Sequence, residues 1–458
     1  MNPKIFKPYD IRGIYPLEFN QKDSYLIGQS LIKFLSKKFK KSATKIKIVV
    51  GRDCRISSEE IFHHFSKGIR SQGGNVINIG IVPTELVYFA HNYYKTDAGI
   101  MITASHNPPE YNGFKIIIKN NNFISQGQGM GALKNFCLRK NLYKTNKKQG
   151  KEVKRKINSI YLKFILKKIK TSNLLPLKVV LDFGNGCAGK TILSLLKYTP
   201  VKTTALFPDC NGLFPSHLPD PSNKKNLRLL SLKIKEQKAN LGVAFDGDGD
   251  RIVFLDEKGR IIDSDFIILL ISKYLLLKNP GEKIVYTKAN CSRLVPKKIK
   301  EFQGIPVKSK TGHTFVKKIM QKHQVIFGGE NSGHFYWKEF YYLESSALTL
   351  LNVLKIISQE NVPFSQIISQ FPKSYKFQTN LKIKKPKETV FNKLENIFPL
   401  KNFRKESFDG LSLIFNNWWF NIRASNTEKD KFRLTLEADN LLLLKEKRRT
   451  LLKLLNTL

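Results

Sequence analysis

The sequence predicts an α/β protein of several domains, three of them related and the C-terminal one of a different type. Its 458 residues exceed what one hydrophobic core normally organises. Apolar runs of strand length alternate with amphipathic helical patterns, which argues for largely parallel sheets. The same runs end repeatedly in polar loops, the place where open α/β sheets bind ligands.

In chain order, "IKIVVGRD" at residues 46–53 reads as a buried strand ending in a polar loop. "SSEEIFHHFSKGIRSQGG" follows as a helix, with Ser57 or Ser58 as its start signal and Gly73 and Gly74 as its stop. "LKVVLDFGNG" from Leu177 is a second buried strand entering a glycine turn, and "ANLGVAFDGDGDRIVFLD" at residues 239–256 is a strand, a loop and a second strand. "KIVYTKANCSRL" from Lys283 begins a third such unit. "FIILLISKYLLL" from Phe266 is too short to span a bilayer and carries Lys273, so it reads as a buried helix. The basic stretch at residues 140–156 and the segment "ENVPFSQIISQFPKSY" at residues 360–375 read as boundaries.

Lys and Arg total 79 against 36 acids, a formal charge of +43. The excess is lysine spread over every region, which describes solvated faces rather than a nucleic-acid groove. No zinc-finger or ribonucleoprotein motif accompanies it. A basic field does raise encounter rates for anionic substrates. The five cysteines are widely separated and lack CxxC pairing, which points to reduced thiols in a cytoplasmic protein. The N-terminus carries no apolar export signal.

"ITASHNPPEYNGFK" at residues 102–115 sets Ser105 beside His106 in a segment that Pro108 and Pro109 bar from being helical. It is a loop that holds polar side chains in place. "DGDGDR" lets Asp246, Asp248 and Asp250 converge from one tight loop, because the intervening glycines bend freely. Three such carboxylates need a divalent counterion, and hard oxygen ligands suit magnesium. An EF-hand requires glycine at its sixth position, where this chain has Arg251. "RASNT", with Arg423, Ser425, Asn426 and Thr427, offers a guanidinium and small polar residues suited to phosphate. "GGENSGH" bears Glu330, Ser332 and His334 on a flexible loop suited to sugar hydroxyls. "GNGCAGKT" at residues 184–191 fits the P-loop pattern, which would make Lys190 a nucleotide-phosphate ligand.

Taken together and in order, "YDIRG" at Tyr9, "GRDCRISS" at Gly51, "TASHNPPEYNGFK", "DFGNGCAG", "DGDGDR", "KTGH" at Lys310, "GGENSGH" and "RASNT" resemble the α-D-phosphohexomutase family, in its bacterial phosphomannomutase/phosphoglucomutase type. The correspondence covers nearly the whole chain and accounts for the P-loop look-alike as the first loop of a second domain. It implies a four-domain, heart-shaped architecture: three related α/β domains with mixed sheets and a C-terminal α+β domain. The expected divisions are 1–150 with the phosphoserine loop, 151–254 with the metal loop, 255–368 with the sugar loop and 369–458 with the phosphate-binding domain.

The resemblance implies reversible phosphoryl transfer between the 1- and 6-hydroxyls of a hexose, with Ser105 as the phosphoserine and a hexose 1,6-bisphosphate as intermediate and activator. Mg²⁺ would be held by Ser105, Asp246, Asp248 and Asp250. Arg12, His106, Lys115 and Arg251 would stabilise the transferring group, with Lys115, His313 and Arg12 as acid/base candidates. Tyr9, Glu330, Ser332, His334, Arg423, Ser425, Asn426 and Thr427 would bind substrate. A phosphosugar is then the expected partner, without nucleic acid or membrane, for a monomer or weak homodimer. Phosphoglucosamine mutase is the neighbouring alternative; a P-loop triphosphatase and a nucleic-acid binder are remoter ones.

The chain departs from the family pattern at three places. Asn290 stands where a lysine is frequent, with Lys288 two residues earlier as a substitute on the same strand face. Glu344-Ser345-Ser346 replaces an Asp-Asp-Gly, which would alter the helix start there. Lys429-Asp430 stands where a proline is usual after the phosphate loop.

Overall fold

The structure, a computed structural model, describes residues 1–139, 145–398, 403–425 and 430–457. It divides into one unit formed by Met1–Ser264 and Ser332–Ile367 and a second formed by Asp265–Asn331 and Ile368–Leu458.

The first unit holds two mixed sheets. In the N-terminal sheet, strands Lys47–Arg52, Asn75–Ile81, Ala98–Ile102 and Glu152–Lys154 run parallel. Tyr111–Ile118 joins Ala98–Ile102 antiparallel and carries Ile11–Ile14 on its other side. Part of the basic stretch read as a boundary, Glu152–Lys154, is therefore an edge strand. Ala98–Ile102 is buried along its whole length, as a central strand covered on both faces must be. Phe114 of Tyr111–Ile118 packs its ring 4.8 Å from Phe65 and 6.2 Å from Phe19. Burying a side chain of that size is worth roughly 1.5–3 kcal/mol.

Helix Ile56–Ser71 starts two or three residues earlier than its serines indicate: Arg55 is the N-cap residue. Ser58 lies inside the helix, where its hydroxyl reaches back 2.6 Å to Asp53, and Asp53 also accepts the Arg55 amide at 3.1 Å. The serine is spent on holding the loop that precedes the helix.

In the second sheet, Leu241–Phe245 lies parallel to Lys178–Asp182, which is parallel to Lys202–Leu206. On its other side Leu241–Phe245 pairs antiparallel with Ile252–Asp256, so the intervening "DGDGDR" is a hairpin loop. Later in the same unit, Phe335–Trp337 and Leu343–Glu344 form a short antiparallel pair before helix Ser346–Glu360. The Glu344-Ser345-Ser346 departure does not disturb that start, because Ser345 caps it by accepting from the Leu348 amide at 3.2 Å.

In the second unit, Lys283–Thr287 is flanked in parallel by Ile305–Ser309 and Phe327–Gly329. A separate antiparallel sheet runs Tyr375–Lys382, Lys431–Ala438, Trp418–Ala424, Leu411–Ile414, Arg404–Glu406. Helix Leu441–Asn456 packs on it through Leu444, Leu451 and Leu455. Lys288 and Asn290 do not share a strand face: the strand ends at Thr287 and both lie in the turn that follows. Three α/β domains with mixed sheets and a fourth, β-rich domain are thus present. Among the described residues, no helix is long and apolar enough to cross a membrane.

Candidate active site

The loop after Ala98–Ile102 is shaped by Arg55. Its guanidinium donates to the carbonyls of Ser105 (2.8 Å), Asn107 (2.7 Å), Pro108 (2.5 Å) and Tyr111 (3.0 Å), while its Nε meets Asp53 at 3.0 Å. Both partners of this ion pair are buried. The grip holds Ser105 in the left-handed region at φ 54°. That conformation costs a non-glycine residue about 1–2 kcal/mol, which charge-assisted hydrogen bonds can offset. Sequence reading passed over Arg55, although it sits inside the quoted "GRDCRISS". Nothing local marks it, because every carbonyl it binds lies some fifty residues away.

Held in this way, the Ser105 hydroxyl donates to Asp246 at 2.8 Å and lies 3.1 Å from His106 Nδ1. The two loops approach at Gly247, where a Cβ would sit 2.5 Å from the Ser105 carbonyl oxygen, so only glycine fits. Gly249, at φ 70°, turns the chain so that Asp248 and Asp250 face the same point. Each of the three aspartates presents a carboxylate oxygen within 4.8 Å of the others, and all three are buried.

Neighbours fix each carboxylate. Thr84 donates its hydroxyl to Asp248 at 2.6 Å. Lys115, on Tyr111–Ile118, reaches Asp248 at 2.6 Å and also bonds Asp250. His334 Nε2 stands 3.3 Å from Asp250, and Ser332 lies 2.9 Å from His334 Nδ1. Arg251 donates its amide to Asp246 at 3.1 Å and places its Nε 3.7 Å from that carboxylate. Arg12 bonds Asp10 and donates to the Asn107 side chain at 2.7 Å, bracing the serine loop from the other side.

Burial, with the neighbouring Asp250 and Asp248, pushes the Asp246 carboxyl well above the usual carboxylate range. Asp250 is held well below it, since Lys115 and then His334 outweigh the cost of its burial. For Lys115, burial is outweighed by Asp248 and Asp250, so its ammonium is held firmly protonated. Arg251, burial, Arg12 and Lys115 push His106 well below its ordinary value, leaving a neutral imidazole. Asp248 Oδ1 is buried without a hydrogen-bond partner. An orphaned oxygen beside two further carboxylates, one of them inclined to keep a proton, is a donor set that fits a hard divalent cation.

Of the remaining candidates, Tyr9 is half-buried just before strand Ile11–Ile14. The segment 328–334 passes from one unit to the other, with Glu330 in the second and Ser332 and His334 in the first. In the second unit, Glu330 accepts the Gly312 amide at 2.9 Å, which couples its segment to the loop that opens helix His313–His323. His313 lies 3.0 Å from Lys317 Nζ. Lys288 pairs with Glu406 at 3.5 Å. Arg423 is buried near the end of strand Trp418–Ala424, and Ser425 donates its amide to Lys431 at 2.7 Å. Asn426, Thr427 and Lys429 lie outside the described residues.

Half of the glycine turn in the P-loop pattern is closed by backbone carbonyls. The amides of Asn185, Gly186 and Cys187 are occupied by the carbonyls of Phe207, Phe183 and Gly247.

The Ser105 hydroxyl thus meets a trio of buried aspartates on loops at the strand ends of two α/β sheets. Comparison with known proteins gives the family. Models described as phosphoglucomutase/phosphomannomutase, alpha/beta/alpha domains I, II and III match residues 3–131, 159–259 and 263–375. A phosphomannomutase of Methanocaldococcus jannaschii is 37% identical over 97% of this chain and 95% of its own length. A phosphomannomutase of Escherichia coli is 33% identical, covering 98% of each chain. The crystal structure of a phosphoglucomutase/phosphomannomutase family protein from Burkholderia thailandensis superposes with a TM-score of 0.88 at 29% identity, covering 100% of this chain and 98% of that one. The chain belongs to the phosphoglucomutase/phosphomannomutase family.

Proposed function

We propose that this enzyme moves a phosphoryl group between the 1- and 6-hydroxyls of mannose or glucose phosphates, with Ser105 as the carrier and a hexose 1,6-bisphosphate as intermediate and activator. The observation that carries this reading is the 2.8 Å hydrogen bond from the Ser105 hydroxyl to Asp246 within the three-carboxylate cluster. Relatives bearing the names phosphomannomutase and phosphoglucomutase support the substrate class.

In the forward half-reaction a sugar hydroxyl attacks the phosphorus on Ser105. The P–O bond to the sugar forms, the P–Oγ bond breaks, and the sugar hydroxyl gives up its proton. The reverse half-reaction returns the other phosphate to Ser105. Asp246, Asp248 and Asp250, with an oxygen of the Ser105 phosphate, would hold Mg²⁺. When bound it supplies positive charge to a phosphoryl group that spreads negative charge over its equatorial oxygens. Arg251 and Lys115 provide fixed cations beside the same point, and preorganised donors of this kind are worth about 3–4 kcal/mol each. Neutral His106 can take and return the Ser105 proton at Nδ1. Lys115, held protonated by the aspartates, and Arg12, a permanent guanidinium, act as fixed positive charges, and His313 would receive the sugar proton. Glu330 and Ser332 would bind sugar hydroxyls, with Tyr9 and His334 alongside. Arg423, Ser425, Asn426 and Thr427 would hold the phosphate that is not reacting.

Coupled turnover of mannose 1-phosphate, glucose 1-phosphate and glucosamine 6-phosphate, with a hexose 1,6-bisphosphate present, tests the substrate class. The expected result is turnover of one or both of the first two. Turnover of glucosamine 6-phosphate alone would replace this reading with the phosphoglucosamine one.

A further inference from the structure

Cysteines far apart in sequence converge in the first unit. Cys54, in the loop between Lys47–Arg52 and Ile56–Ser71, donates its thiol to the Asn185 carbonyl at 3.2 Å. Cys210 donates to the adjacent Gly186 carbonyl at 3.5 Å. The two thiols therefore sit on consecutive carbonyls of one turn. The backbones that carry them also touch: a Cβ on Gly212 would lie 2.5 Å from the Cys54 carbonyl oxygen and 2.6 Å from the Ile56 amide nitrogen. Cys210 is exposed and Cys54 partly so, while Cys187, Cys137 and Cys291 are buried.

We propose that Cys54 and Cys210 are a hydroperoxide-sensitive thiol pair that closes reversibly to a disulfide, tying the segment that carries Arg55 to the loop after strand Lys202–Leu206. Nothing in the phosphoryl-transfer reading requires these sulfurs, and the pairing stands apart from it. The two thiols are also close enough for each to shift the other's titration. Cys210 is the more exposed of the two, and the Cys54 side chain, with Lys190, lowers its thiol from the ordinary value, so Cys210 is the nucleophile and Cys54 the resolving thiol.

The steps balance. The Cys210 thiolate attacks one oxygen of hydrogen peroxide, the O–O bond breaks, and the departing oxygen leaves as water after taking a proton. The resulting sulfenic acid is attacked by the Cys54 sulfur; the S–S bond forms, the S–O bond breaks, and a second water leaves with the Cys54 proton. Two thiols supply the two electrons that reduce one peroxide.

The test uses the full chain under native conditions. A few equivalents of hydrogen peroxide are added, remaining thiols are alkylated, and the non-reduced digest is read by peptide mass spectrometry. The free thiols should fall from five to three, a peptide linking Cys54 to Cys210 should dominate, and dithiothreitol should restore all of them. Cys187→Ser should keep the link; Cys54→Ser and Cys210→Ser should each abolish it. Five thiols surviving the oxidant, oxidation that stops at Cys210 without a link, or a bond joining either residue to Cys187 or to another chain would each overturn the proposal.

Discussion

Replacing Arg55 with alanine strips the Ser105 loop of four backbone contacts and leaves Asp53 buried without its cation. Losing one partner of a buried pair costs about 3–5 kcal/mol. Arg55→Lys keeps the charge but not the fork, so it should recover part of the stability and little of the turnover. Urea midpoints and kcat for the two variants separate these effects; a lysine variant as active as wild type would refute the positioning role. At Gly247 the argument is steric. The methyl of Gly247→Ala would meet the Ser105 carbonyl at 2.5 Å, so one loop must withdraw. A displacement near 1 Å at reacting atoms can cost roughly a hundredfold in rate, and that is the expected loss in kcat, with the melting temperature changed far less. The aspartate trio was legible in sequence because alternating glycines leave three carboxylates one direction in which to converge. Arg55 was not, because its partners are backbone atoms, which carry no residue signature.

Helix Thr84–Tyr93 meets the N-terminus of Ser346–Glu360 through a buried carboxylate. Glu85 accepts the Ser345 hydroxyl at 2.7 Å, and burial pushes its carboxyl up to about 7 from an ordinary 4.5. Below the ordinary value both folded and unfolded chains are protonated there. Between the two values the folded chain alone keeps the proton, so this contribution to stability is lost as pH rises through 7, by about 3 kcal/mol in all. Glu85→Gln should therefore gain stability relative to wild type progressively from pH 4.5 to 8, as read by urea unfolding; parallel curves would contradict the assignment. The existence of the helices was readable from apolar periodicity, but their starts were less so. Ser58 looked like a cap for Ile56–Ser71 and instead serves Asp53, whereas Ser345 caps where an altered start was expected. A hydroxyl serves a helix end or a neighbouring loop according to tertiary contacts that sequence spacing does not contain. Lys288 and Asn290 were paired on a strand that in fact stops at Thr287.

Across the molecule, a charge of +43 facing an anionic substrate makes encounter sensitive to salt. Moving from about 0.01 M to about 0.15 M ionic strength shortens the screening length from about 30 Å to about 8 Å. We expect kcat/KM to fall several-fold over that range while kcat holds, and a salt-independent kcat/KM would show that the lysines are only solvated faces. The family and its sheets were legible because eight short motifs recur in order, each at a loop whose chemistry constrains its residues. The most direct test of the central claim is peptide mass spectrometry of the full chain after incubation with glucose 1,6-bisphosphate and Mg²⁺. Phosphate should appear on Ser105, be lost on addition of excess hexose monophosphate, and be absent from Ser105→Ala, which should not turn over. Sustained mutase turnover with Ser105 unmodified, or phosphate carried on another residue, would contradict the account.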